Sequence, residues 1–134
     1  MISGKIKLRV RYSDTDQMGY VYYGRYASFY EIARVELFRE LGFSYKTLEE
    51  SGIGMPVIDL EIKYILPIKY DEEITIKTSI KEIPSSRIIF FYEIYNQDNI
   101  LSNTAKTTLT FINLSSKRAV RTPKELIEII RDKF

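Results

Sequence analysis

The chain has 134 residues, 45% hydrophobic and 28% charged, with a net charge of +2, a composition ordinary for a single soluble domain spanning 1–134. It has neither Cys nor His, which excludes disulfides, thiolate nucleophiles, Ser-His-Asp and Cys-His constellations, and metals held by either residue. Chemistry near neutral pH is left to carboxylates, Tyr, Lys and backbone dipoles, and a net charge this small does not by itself imply nucleic acid.

The first ten residues alternate charged and apolar side chains, with no secretory apolar block. From Lys5 to Tyr12, Ile6, Leu8, Val10 and Tyr12 share one face and Lys5, Lys7, Arg9 and Arg11 the other, which predicts a half-buried strand. An acidic loop, Asp14-Thr15-Asp16, follows. A long helix is predicted from about Tyr23 to Leu41. Its buried stripe is Tyr26, Phe29, Tyr30, Ala33, Leu37 and Leu41, with Glu31, Arg34, Glu36, Arg39 and Glu40 on the remainder. Gly42 ends it, and a short helix over Tyr45–Ser51 comes next.

Beyond Gly54 the period becomes two. Ile58, Leu60, Ile62, Tyr64 and Leu66 oppose Asp59, Glu61 and Lys63, and Ile74, Ile76, Thr78 and Ile80 mark another strand. Arg87–Tyr95 is apolar on both faces and reads as a central strand. Its densest apolar run, Ile88 to Tyr92, stops at Glu93, far short of a membrane span, so the expected location is cytoplasmic. A long strand runs from Ile100 to Leu114, then a basic loop, and Thr122-Pro123 opens a terminal helix with Thr122 at the cap. One long helix with five strands joined mainly by short turns must lie across one face of an antiparallel sheet, an α+β domain.

Asp14 and Asp16 are the first candidates for chemistry. Spacing alone reads them as turn formers. A calcium loop fits Asp14, Asp16 and Gly19 but fails at Met18 and at Arg25, where a bidentate Glu is needed, so no metal site is expected. Gly19 and Gly24 let backbone approach another group closely, and a carboxylate facing a helix amino end suits a reaction that develops charge on oxygen. Glu31 is the rival carboxylate, although an exposed pair with Arg34 also accounts for it. Lys117, Arg118, Arg121 and Lys124 form an acid-free cluster that Arg87, beside Ser85-Ser86, could join. It reads either as a solvated loop or as a phosphate grip, and an RNA surface is a weaker alternative because the Tyr residues mostly continue apolar stripes.

The run Y-S-D-T-D-Q-M-G-Y-V-Y-Y-G-R-Y followed by F-Y-E-I-A-R resembles the 4-hydroxybenzoyl-CoA thioesterase family of hotdog-fold acyl-CoA thioesterases. The likeness extends to Tyr64–Ile74 and Ser115–Pro123. The resemblance implies a five-stranded antiparallel sheet wrapped around one central helix, and hydrolysis of a small aromatic or aliphatic acyl-CoA. It implies Asp16 as nucleophile or general base and the Tyr23 backbone amide as oxyanion donor. Many relatives carry His where this chain has Tyr23. In another branch of the fold the catalytic acid lies eight residues beyond the oxyanion amide, which is Glu31 here. Arg87, Lys117, Arg118 and Arg121 would hold coenzyme A, which is part of the substrate; no separate cofactor is expected. A homodimer with a continuous sheet is expected, and the resemblance implies a homotetramer of two such dimers. A hotdog protein that binds acyl-CoA or an acyl carrier protein without cleaving it is the alternative; a dehydratase is disfavoured by the missing His.

Overall fold

A computed structural model describes residues 1–134. In chain order the elements are β1 (Ile2–Arg9), α1 (Tyr26–Glu40), α2 (Tyr45–Glu50), β2 (Ile53–Gly54), β3 (Val57–Tyr64), β4 (Glu73–Ile80), β5 (Arg87–Tyr95), β6 (Leu101–Asn113), β7 (Ala119–Val120) and α3 (Lys124–Lys133). All strand pairs are antiparallel, in the order β1-β4-β5-β6, and β3 lies on the far edge of β6. The α+β expectation holds, but the sheet has seven strands rather than five. The two extra strands, β2 and β7, are two residues each and pair with the end of β6, too short to show a period in sequence.

β5 is central as expected, and its inward residues Ile88, Phe90, Tyr92 and Ile94 are buried against α1 together with Ile74, Ile76 and Ile80 of β4. Each such side chain contributes about 1.5–3 kcal/mol by leaving water. The first strand corrects the expectation: it starts at Ile2 and stops at Arg9, and Tyr12 is 80% exposed in a 3-10 turn. The Asp14 carboxylate accepts the Arg11 N–H at 2.8 Å and draws the backbone out of the ladder. At the other end Thr122 does not cap α3. Its hydroxyl donates to the Ser85 carbonyl at 2.8 Å, and Pro123 takes the cap position.

A 3-10 turn over Tyr23–Arg25 leads into α1, so the helical run begins where expected, and Gly42 ends it at a φ of +82°, which L side chains rarely adopt. The buried face of α1 adds Phe38 and Arg34 to the expected stripe, and Leu41 is only half-buried. α1 does not cover the whole sheet. Leu60, Ile62 and Tyr64 of β3 pair with Thr107, Ala105 and Asn103, so they share the helix-facing side. Yet Leu60 is 41% and Tyr64 53% exposed, and the outer edge of β3 pairs with nothing. The chain thus leaves an apolar, unpaired strand edge beside its central helix.

Candidate active site

The acidic loop is tied down by its first carboxylate. Asp14 is 1% exposed and lies 3.4 Å from both Arg11 and Arg25 guanidinium nitrogens. Its carbonyl accepts the Tyr22 N–H at 2.9 Å, so one residue joins the end of β1 to the start of the helix. Asp14 is therefore a structural clamp.

Asp16 is exposed, on a tight turn closed by Gly19 N–H to the Asp16 carbonyl at 3.0 Å, with Gly19 at a φ of +78°. One carboxylate oxygen accepts the Met18 N–H at 2.9 Å, and the other has no partner. Backbone bridges from Thr15 to Val21 and from Tyr20 to Lys69 hold the turn against the segment before β4. Asp16 and Tyr23 line one cavity of about 320 Å³ with Tyr20, Val21, Tyr26, Tyr64, Ile65, Leu66 and Pro67. Tyr23 begins the helical run and its N–H has no acceptor; the helix start has no side-chain cap. The structure thus brings the two residues expected to act, Asp16 and Tyr23, to the lining of one cavity. A Cβ at Gly24 would sit 2.7 Å from the half-exposed Tyr22 ring, so a larger residue there would have to displace that ring. Burial is the main reason the Tyr26 phenol is pushed up to about 12, with Tyr64 and Glu72 adding to it, so Tyr26 stays neutral in this wall.

Glu31 is not in this cavity. It lines a separate one of about 340 Å³ between α1, α2 and β2, with Arg34, Val35, Tyr45, Leu48, Glu49, Ile53 and Met55. The expected surface pair with Glu31 does not form, because Arg34 is only 7% exposed and makes no salt bridge. Its Nε donates to the Tyr45 hydroxyl at 2.9 Å and its Nη1 to the Tyr92 hydroxyl at 3.2 Å, and Tyr92 meets Thr107 Oγ1 at 2.7 Å. Burial works against the Arg34 charge, but Tyr45 and Tyr92 outweigh it and raise its pKa, so the cation persists. Sequence periodicity placed Arg34 outside; the signal for its burial is the pair of distant tyrosines, invisible until the fold joins them. Replacing Arg34 with Ala is expected to destabilise the chain by about 3 kcal/mol, through a cavity and the loss of both phenol contacts, as read from urea unfolding.

Arg87, Lys117, Arg118 and Arg121 are all exposed at one end of the sheet. Arg87 pairs with Thr110 across β5 and β6, the Arg118 carbonyl accepts the Asn113 N–H at 2.8 Å, and Thr122 docks on Ser85. Arg87 also lines a cavity of about 260 Å³ with Ser85 and Ser86. The Asp16 cavity lies at the other end of β6, where Ile65 and Leu66 donate to the Ser102 carbonyl, each at 3.0 Å. Ser102 to Asn113 spans roughly 35 Å of extended strand. Within one chain the basic cluster and Asp16 are far apart.

A family model for the thioesterase-like superfamily matches residues 10–130. The chain belongs to that superfamily. Its sheet wrapped on α1 is the superfamily's hotdog fold, and the enzyme class that this membership carries is thioester hydrolase. The putative acyl-CoA thioesterase YneP of Bacillus subtilis is 33% identical over 117 residues, 87% of this chain and 85% of that protein. Acyl-CoA thioesterase YbgC of Haemophilus influenzae is 34% identical over 120 residues, 89% of this chain and 88% of that protein. The solved structure of a DHNA-CoA thioesterase from Staphylococcus aureus superposes with a TM-score of 0.95 at 33% identity, covering 99% of this chain and 91% of that one. No helix of the chain is long and apolar enough to cross a membrane.

Proposed function

We propose that the protein hydrolyses acyl-CoA thioesters to a carboxylic acid and free coenzyme A at the Asp16–Tyr23 cavity. The observation that carries this reading is one cavity lined by both the exposed Asp16 and Tyr23, the residue at the head of the helical run whose N–H has no acceptor, in a chain without His or Cys. A thioester carbonyl placed there accepts the Tyr23 N–H, which stabilises negative charge as the carbon becomes tetrahedral. Asp16 then acts in one of two ways. It attacks the carbon, expelling the coenzyme A thiolate and leaving an anhydride that water opens, or it takes a proton from water, whose oxygen attacks. In both cases the thiolate leaves and is protonated, and one water is consumed. Glu31 is a secondary candidate that can reach this carbonyl only from another subunit.

The catalytic unit in this reading is a homodimer. β3 presents an apolar edge with an unused row of N–H and C=O groups, and two-fold pairing of β3 with its copy would satisfy both. Antiparallel pairing sets the Tyr64 end of one β3 beside the Val57 end of the other. Because Val57 pairs with Leu109, the partner's end of β6, with its basic turn, is carried toward this chain's Asp16 cavity. Arg87, Lys117, Arg118 and Arg121 thereby grip the phosphates of coenzyme A bound at the other subunit's site. A homotetramer is two such dimers.

The cavity wall of Tyr20, Tyr23, Tyr26 and Tyr64 with Val21, Ile65 and Leu66 suits a small aromatic or aliphatic acyl group. The name of the Staphylococcus aureus neighbour, a DHNA-CoA thioesterase, supports testing aromatic acyl groups first. Thiol release measured across aromatic, short-chain and long-chain acyl-CoAs is expected to be fastest with the first two, in a protein that sediments as a dimer or tetramer. Tight binding with no release of thiol would make it an acyl-CoA or acyl-carrier binding protein instead.

A further inference from the structure

Arg34 is a buried cation that no carboxylate of the chain neutralises. It is 7% exposed and forms no salt bridge, although a charge taken out of water is normally paired. Nε and Nη1 are fixed, because each donates to a phenol, Tyr45 and Tyr92 respectively. Nη2 has no hydrogen-bond partner within the chain. The buried side-chain atoms left without a partner are Thr78 Oγ1 and Asn103 Nδ2, so Nη2 is not sealed off as they are. Arg34 lines the cavity of about 340 Å³ between α1, α2 and β2. Burial falls outward along that cavity: Arg34 and Leu48 are buried, Ile53 and Met55 half-buried, and Glu31 and Glu49 exposed.

We infer that this second cavity binds a small monocarboxylate with an apolar body, its carboxylate taking a charge-assisted hydrogen bond from Arg34 Nη2. The guanidinium is already held by two phenols, so binding orders no long side chain and the contact keeps most of its strength. Leu48, Ile53 and Met55 give the body of the ligand an apolar wall, and the volume suits a group about the size of one ring. The charges decide the class of anion. One buried cation faces two exposed carboxylates, Glu31 and Glu49, so a phosphate or a dicarboxylate would bring a second negative charge that meets only repulsion. Asp16 and Tyr23 line a different cavity, so this site stands apart from the thioesterase reading.

The probe is sodium benzoate, with benzamide as a neutral control of the same shape. Each is titrated into the isotope-labelled protein while the Arg34 Nε–H resonance is followed by NMR, assigned by its loss in Arg34→Met. Benzoate should shift that resonance saturably and bind at least about tenfold more tightly than benzamide, the margin expected for a hydrogen bond to a charged group. In calorimetric titrations Arg34→Met should weaken benzoate by at least about tenfold because the charge is gone. Met55→Trp should do the same by filling the cavity from its half-buried wall, and it keeps the test decisive if Arg34→Met does not fold. No saturable shift below about 20 mM benzoate, equal affinity for benzamide, or undiminished binding in Met55→Trp would overturn the proposal. So would loss of benzoate binding in Asp16→Asn, which would put the ligand in the other cavity. None of these outcomes depends on whether the protein cleaves thioesters, which thiol release decides separately.

Discussion

Asp16→Asn is expected to lower kcat by at least about a hundredfold while leaving KM nearly unchanged, because the amide keeps the shape of the turn but can neither attack nor accept a proton. The turn should survive: the oxygen that accepts the Met18 N–H has a counterpart in Asn, and Asp14, not Asp16, carries the ion pairs that anchor the loop. Glu31→Gln should cost far less, since Glu31 lines a different cavity from Asp16 in the same chain. The two variants are compared by steady-state thiol release on one substrate. Near-normal turnover of Asp16→Asn with loss of activity in Glu31→Gln would transfer the catalytic role to the helix.

The second large effect is one of complementation. Arg118→Ala combined with Arg121→Ala should raise KM well above its effect on kcat, because phosphate contacts lie far from the reacting carbon. That effect should shrink on substrates cut back to the pantetheine arm. Mixing this double variant with Asp16→Asn and allowing subunits to exchange then separates two geometries. If each site takes Asp16 from one chain and its arginines from the other, a hybrid dimer has one intact site. Half the dimers are hybrids at random exchange, so about a quarter of unmodified activity should return. If one chain supplied both groups, mixing would restore nothing, and the dimer geometry inferred from β3 would be wrong.

Much of the fold was legible because long elements declare their surroundings. β5 alternates only weakly, with apolar residues on both faces, and it is the central strand; α1 repeats aromatic residues at three- and four-residue spacing, and that face is buried. The candidate site was legible where its parts are close in sequence: Asp16, Gly19, Tyr23 and Gly24 lie within nine residues. What stayed hidden depends on partners far along the chain. Arg34 looks like a surface residue until Tyr45 and Tyr92 come within hydrogen-bonding reach, and the 41-residue separation between Tyr23 and Tyr64 conceals their contact. Tyr12 fits the period of its strand, but the carboxylate of Asp14 interrupts the ladder first. Periodicity reports whether a side chain meets water; it does not report which polar group it meets.

The bare edge of β3 also has a bearing on how the protein reaches its working state in time. In the homodimer proposed above, that edge can recruit any unpaired strand until a second chain covers it, so the last step of assembly would be bimolecular and would compete with aggregation. Asp59, Glu61 and Lys63 sit along the strand on its other face, where charge discourages indiscriminate stacking while leaving the backbone edge open. Newly made chains should therefore gain activity with a lag that shortens as their concentration rises, long after each has formed its own sheet and helix.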